Sequence, residues 1–544
     1  MTTNHTLAKR RAETIAAGHW RDETLLDHLD RAIARFPDKT AIVAAPAESG
    51  QEVRLTYREV GRLSDVLAVR LTEMGVGHGD VVSFQLPNWW QFSVLHLACL
   101  KVGAVSNPLM IIFRERELRF MLKLADTKVF VVPASFRNFD YARMAANLRD
   151  DLPALKHVFV VGGTGDAAFE TLFSAQAGNE PLPQDRRPSP DDVIQLLYTS
   201  GTTGEPKGVM HTSNTMLSNL VPFADRLHLG AEDVIHMPSP LAHQLGFMYG
   251  LVMPVMLGAT AVLQDIFDPK EMARQITGEG VTFTMGATPF LNDLAEYVER
   301  NKASTASLRV FVSAGAPIPR ALVSKARHAL GASIISAWGM SENGAVTTTR
   351  PEDPEEKTME TDGCALAGME VRVVDANGDA VPFGQEGQLQ VRGCSNFIGY
   401  LKRPELDNTN AEGWFDTGDL ARKDAEGYIR IAGRSKDIII RGGENIPVVE
   451  VEGLLFKHPA IAAVAVVGYP DARLGERACA FVVLREGALL TFEEMVAYLK
   501  AQQMAQQYIP ERLQIVDELP RTPSGKIQKF KLREAAKAFS GSAA

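Results

Sequence analysis

Cysteine is scarce in this chain: Cys99, Cys364, Cys394 and Cys479 are the only four, and no two stand at a spacing that pairs metal ligands. That argues against a thiolate zinc or iron–sulfur site and against a disulfide framework. It fits a reducing compartment, the cytoplasm, with the four thiols as small buried apolar groups. Positive charge is also in short supply. Lys and Arg number 57 against 66 Asp and Glu, a formal net charge of −9, so no surplus of cations is available to hold a nucleic acid or an anionic bilayer. The first thirty residues mix charged side chains with short apolar pieces and lack the pattern of a secretory leader. Internal repeats and low-complexity tracts are absent. One long run does lack charge: residues 234–264 contain no Asp, Glu, Lys or Arg. Its length would span a bilayer, but Pro238, Pro240, Pro254, His243 and Gln244 are costly there, and the run is predicted to be a buried helix rather than a membrane span.

What is present is ordinary globular material, 45% hydrophobic and 23% charged, and its 544 residues exceed a single core. Leu25, Leu26, Leu29, Ile33 and Phe36 share one helical face, and a strand follows over 40–44. A helix ending near Met74, then strands over 81–86, 129–132 and 158–161, continue an alternation that predicts a parallel-sheet α/β body. Between about 365 and 432 short β-like pieces (371–374, 387–391, 428–431) alternate with turns, as in a small antiparallel or barrel-like subdomain. The pattern then resets, with strands over 461–467 and 479–484 and a helix over 492–503. The expected fold is therefore α/β, a large N-terminal body (1–435) with a small β-barrel-like subdomain, and a smaller mobile α+β C-terminal domain (436–544).

The densest chemistry lies in Thr199-Ser200-Gly201-Thr202-Thr203-Gly204-Glu205-Pro206-Lys207-Gly208. Glycines bring bare N–H groups against an anion, and hydroxyls and Lys207 add donors to the same oxygens, so this is a phosphate cradle. The apolar residues 193–198 before it read as a buried strand. It is not a Walker A loop, because Lys207 comes only three positions after Gly204 and precedes Gly208. A second glycine cluster, Gly162-Gly163-Thr164-Gly165, partly matches a dinucleotide fingerprint. It is set aside because a Pro-rich stretch stands where the next strand and its ribose-binding acid should be.

Further motifs follow in order: Ser313-Ala314-Gly315-Ala316-Pro317; Ala337-Trp338-Gly339-Met340-Ser341-Glu342; Gly413-Trp414-Phe415-Asp416-Thr417-Gly418-Asp419; Gly433-Arg434-Ser435-Lys436-Asp437; and Pro520-Arg521-Thr522-Pro523-Ser524-Gly525-Lys526. With the phosphate loop, this set resembles the adenylate-forming superfamily of acyl-CoA synthetases, peptide-synthetase adenylation domains and beetle luciferases. The resemblance implies two half-reactions using ATP, Mg2+ and coenzyme A: a carboxylate attacks the α-phosphate of ATP and releases pyrophosphate, then a thiol attacks the acyl adenylate and releases AMP. It implies phosphate contacts from the loop, Lys207, Ser341 and Lys526, with Glu342 as a magnesium ligand, and an adenine site at Gly315, Ala316, Pro317, Trp338, Gly339 and Met340. Asp419 and Arg434 would clamp the ribose. Trp338 replaces the tyrosine usual in the family. Lys436 matches the hinge about which the C-terminal domain turns, a swing that would withdraw Lys526 and bring Gly442, Gly443 and Glu444 to the pantetheine tunnel.

The segment Leu241-Ala242-His243-Gln244-Leu245-Gly246-Phe247 lacks the aspartate with which amino-acid-activating domains hold an ammonium, and His243 matches the histidine of acyl- and aryl-CoA synthetases. Met237, Phe247, Met248, Met285, Gly286 and the residues around Ala337 and Met340 would form an uncharged acyl pocket. The segment looks like short- or medium-chain fatty acyl-CoA ligases and cyclohexanecarboxylate-CoA ligases. The resemblance thus implies a medium-chain fatty or alicyclic acid, with an aryl acid as the rival and a luciferase-like oxygenase or an amino-acid adenylation domain further off. It is compatible with a homodimer.

Overall fold

The computed structural model describes residues 2–173, 182–199, 206–315, 318–434, 439–441, 444–471, 474–502, 504, 506–522 and 525–539. The sequence patterns build two large sheets. In the first, the strands Thr40–Ala44, Thr260–Leu263, Val234–Met237, Phe283–Gly286, Val310–Ala314 and Ser333–Met340 run parallel, side by side, with antiparallel strands at both edges. Their central positions are buried and mostly apolar, as strands covered on both faces must be, with His236, Thr284, Ser313 and Ser336 as buried polar exceptions. In the second, Val105–Pro108, Val81–Phe84, Val129–Pro133 and His157–Val161 are parallel to Val193–Thr199 in one layer. This layer ends on the antiparallel strand Lys207–Thr212.

Helices join the layers, each started by local chemistry. Leu25–Arg35 and Tyr57–Glu73 both begin with a threonine whose hydroxyl accepts from the third helical N–H, while an acid at that position returns a bond to the cap. The apolar face of the first, Leu25, Leu26 and Leu29, is buried in the main core. An N-terminal helix, Thr2–Ala16, precedes it and has no counterpart in the sequence expectations.

The uncharged run 234–264 corrects the sequence reading. Instead of one buried helix it is a strand, Val234–Met237, then helical turns Gln244–Gly246, a π turn Phe247–Val252 and Met253–Leu257, then the strand Thr260–Leu263. The prolines after Met237 end the first strand, and glycine lets the helix lie on it: a Cβ at Gly246 would fall 2.1 Å from the Pro240 carbonyl oxygen, and one at Gly250 2.4 Å from Met237 Cγ. No described helix is long and apolar enough to cross a membrane.

The β-rich stretch is a four-stranded antiparallel sheet running from Met369–Val374 to Ile429–Arg434. Beyond it, the long hairpin Ile461–Asp471 and Gly475–Leu484 anchors a five-stranded sheet with its own apolar clusters around Val451, Leu455, Val466 and Phe481. Gly162–Gly165 lead into short 3-10 turns, Gly165–Ala167 and Phe169–Phe173, and not into the helix that a dinucleotide fold places there. All four cysteines are buried with free thiols.

Candidate active site

The stretch expected to cradle phosphate connects the two strands of a hairpin. Lys207 lies opposite Thr199 in the antiparallel register, so both strands of the hairpin point their ends at residues 200–206. Ser200, Gly201, Thr202, Thr203 and Gly204 fall outside the described residues. Lys207 sets its ammonium 4.9 Å from the centre of the Tyr400 ring. The Tyr400 hydroxyl donates to Glu342 Oε1 at 2.8 Å, and Glu342 is only 6% exposed. Cation, phenol and carboxylate thus form one corner, held by strand-like bonds: Leu401 N donates to Gly208 O at 2.8 Å and Phe397 N to Glu342 O at 2.6 Å.

Glu342 rides on a tight turn after the strand Ser333–Met340, closed by Asn343, whose Oδ1 accepts from Met340 N and whose N–H donates to Met340 O. Behind the turn, the buried His211 bridges Ser341 O at Nε2 (2.7 Å) and Thr215 Oγ1 at Nδ1 (3.0 Å). Burial pushes its pKa down to about 4, so it is neutral at physiological pH. No group of three or more metal-ligating side chains occurs among the described residues. A buried carboxylate in the same corner as a lysine suits Mg2+, which keeps its waters and takes one or two carboxylates plus substrate phosphates. Glu342 would hold it.

The residues expected to hold the nucleoside lie on and beside the same strand. Trp338 Nε1 donates to Asp419 Oδ2 at 2.9 Å, both groups being buried. Asp419 pairs with Arg434 across the antiparallel strands Phe415–Lys423 and Ile429–Arg434, so the two expected ribose partners share one register position. Gly339 and Met340 continue the Trp338 strand, and Gly315 follows the strand Val310–Ala314 alongside it. Ala316, Pro317, Lys436, Gly442 and Gly443 lie outside the described residues; Glu444 begins the short strand Glu444–Ile446.

Of the residues expected around the acyl group, Met237, Phe247, Met248 and Met285 are buried and Gly286 ends the strand Phe283–Gly286. His243 caps the helical turn that carries Phe247. Its Nδ1 accepts from Leu245 N at 3.3 Å, which leaves the ring proton on Nε2. Burial, helped by the positive charge of Lys526, lowers the His243 pKa to about 4. That second cause ties the tail to the core. Lys526 closes a turn in which Thr522 N donates to Lys526 O at 2.7 Å and Gly525 N to Thr522 O at 2.8 Å. The turn sits on the helix Thr288–Asn301, where Arg485 also donates to Glu296 Oε1 at 3.0 Å from the C-terminal side. The structure therefore brings together Lys207, Glu342, Trp338 and Asp419, and sets Lys526 within electrostatic range of His243.

Sequence reasoning missed Tyr400 and His211. The Tyr400 partner Glu342 lies 58 residues away and the His211 partner Ser341 lies 130 away, and neither residue sits in a local motif.

A hairpin whose connection carries the Ser/Thr/Gly stretch, an acid on a strand turn, and a C-terminal lysine within electrostatic range of His243 fit an adenylate-forming enzyme. The comparisons agree. Models of the AMP-binding enzyme family and of its C-terminal domain match residues 29–401 and 450–526. The medium-chain fatty-acid–CoA ligase of Escherichia coli (strain K12) is 39% identical over 97% of this chain and 93% of its own length. The structure of the anthranilate CoA ligase AuaEII in complex with anthranoyl-AMP superimposes with a TM-score of 0.86 at 26% identity, over 95% of this chain and 98% of that one. ATP-bound MatB from Rhodopseudomonas palustris gives 0.84 at 27% identity, over 95% and 100%. The chain belongs to the AMP-binding enzyme family and is an AMP-forming acyl-CoA synthetase of the acyl- or aryl-CoA ligase type. Adenylate-forming CoA ligases use ATP, Mg2+ and CoA.

Proposed function

We propose that this enzyme activates a medium-chain fatty or alicyclic carboxylic acid as its acyl adenylate and passes the acyl group to CoA. What supports the substrate class is the character of the residues expected around the acyl group: Met237, Phe247, Met248 and Met285 are buried, uncharged and adaptable in shape. The likeness to the Escherichia coli medium-chain ligase supports the same reading. An aryl acid is the second reading, favoured by the fold's match to the anthranilate ligase.

In the first half-reaction a carboxylate oxygen attacks the α-phosphorus and pyrophosphate leaves. Lys207 and Lys526 meet the charge that builds on the phosphates, and Mg2+ on Glu342 supplies further charge neutralisation when bound. Neutral His243, with its proton on Nε2, donates to the acid's carboxylate oxygen and so orients the nucleophile. Asp419 accepts from the ribose hydroxyls, held in place by the Trp338 indole and flanked by Arg434. In the second half-reaction the thiol sulfur attacks the acyl carbonyl and AMP leaves. For this step the domain 436–544 turns about Lys436, Lys526 withdraws, and Gly442, Gly443 and Glu444 reach the site. Work in the cytoplasm and assembly as a homodimer complete the proposal.

A coupled AMP-release screen with CoA and a panel of acids tests it. Highest kcat/KM is expected for medium-chain fatty or cyclohexane acids. Highest activity with a benzoate would favour the aryl reading, and highest activity with an amino acid would overturn both.

A further inference from the structure

The segment 394–400 is a strap between the outside of the molecule and the Glu342 corner. On its inner side Phe397 N donates to Glu342 O at 2.6 Å, Ser395 Oγ to Asn343 O at 2.8 Å, and Tyr400 Oη to Glu342 Oε1 at 2.8 Å. On its outer side one arginine collects its carbonyls. Arg10, from the helix Thr2–Ala16, donates Nη1 to Phe397 O and Nη2 to Cys394 O, both at 3.0 Å, and Nη2 also to Asn396 O. Trp20 completes the hold: its Nε1 donates to Cys394 O at 3.0 Å and its ring lies 5.4 Å from the Arg10 guanidinium carbon. Arg10 precedes every motif described above and touches no reacting group. It nevertheless bonds the same peptide, Asn396–Phe397, whose N–H fixes the Glu342 backbone. A planar fork that spans three carbonyls holds such a loop in one register, which a flexible point charge does less well.

We propose that Arg10 is a positioning residue for the metal-and-phosphate corner, setting Glu342 and Tyr400 from outside the site through the 394–400 strap. The inference rests on the reading of Glu342 as the Mg2+ ligand. Without Arg10 the strap would sample other positions, and Glu342 would meet the cation less often, so more Mg2+ would be needed for the same nucleotide binding.

The test is equilibrium binding of α,β-methylene-ATP by calorimetry at graded Mg2+, for the full chain, Arg10→Ala, Arg10→Lys, Glu342→Gln and the Arg10→Ala/Glu342→Gln double variant. The expected result is a roughly five- to tenfold rise in half-saturating Mg2+ for Arg10→Ala, and a smaller one for Arg10→Lys, which keeps the charge and part of the carbonyl contact. In the Glu342→Gln background Arg10→Ala should add no further shift. If Glu342→Gln raises the Mg2+ requirement while Arg10→Ala lowers only the melting temperature, the inference is overturned and the Glu342 reading stands. If Glu342→Gln leaves the requirement unchanged, that reading fails, and the inference with it. Should Arg10→Ala not fold, Arg10→Lys decides: a shifted Mg2+ requirement supports the role and an unshifted one refutes it.

Discussion

Gly525 rests on Ala287: a Cβ built on the glycine would lie 3.1 Å from the alanine Cβ, and the glycine holds φ at +84°. Both facts make the residue before Lys526 a docking point for the C-terminal turn. Gly525→Val should therefore weaken that seat by about 1–2 kcal/mol from the backbone alone. Pyrophosphate exchange is expected to fall about tenfold or more, while thiolysis of supplied acyl-AMP stays within about twofold of the parent. Parallel assays of the two half-reactions check this, and unchanged exchange would show that the seat is unimportant.

The charge of Lys526 contributes to holding His243 neutral, after burial itself. Lys526→Ala should raise the His243 pKa from about 4 toward the ordinary imidazole range without reaching it, because burial remains. NMR titration of the histidine ring reads the shift directly. An identical titration in both proteins would mean that the tail lysine spends little time near the site.

Tyr400→Phe removes the hydroxyl that donates to Glu342. A hydrogen bond to a charged group contributes about 1.5–3 kcal/mol, so kcat/KM for MgATP should drop about tenfold or more, with the KM for the acid unchanged. Steady-state kinetics with each substrate varied in turn distinguish this from a general loss of structure, which would alter both.

Buried histidines, with the half-buried His243, set the acid limit. His211, His236 and His243 have pKa values lowered to about 4 and His96 to about 3, chiefly by burial. The unfolded chain protonates them near 6.5, so the fold binds fewer protons below that pH. Their contribution is fully present above about 6.5 and is lost as pH falls toward 4. Melting temperature should decline through this window, and a flat profile between pH 6.5 and 4.5 would contradict it.

The sequence was most legible where the chemistry is local. The Trp338–Glu342 turn and the Asp419 strand each carry their residue types in a short stretch, and alternating apolar runs foretold the parallel sheets, while residues 200–205 lie outside the described residues. It was least legible where partners are distant. Trp338 meets Asp419 across 81 residues and Tyr400 meets Glu342 across 58, pairings that only the completed sheets enforce. The run 234–264 misled because buried strands and buried helices are equally apolar, and periodicity cannot separate them.

The Ser/Thr/Gly hairpin and a lysine delivered by the C-terminal domain are expected to act on one ATP. Single-turnover measurement of both half-reactions in Lys526→Ala tests it most directly. The account predicts that acyl-adenylate formation slows by about a hundredfold or more while thioester formation from supplied acyl-AMP proceeds nearly unchanged. Equal losses in the two half-reactions, or none in the first, would contradict it.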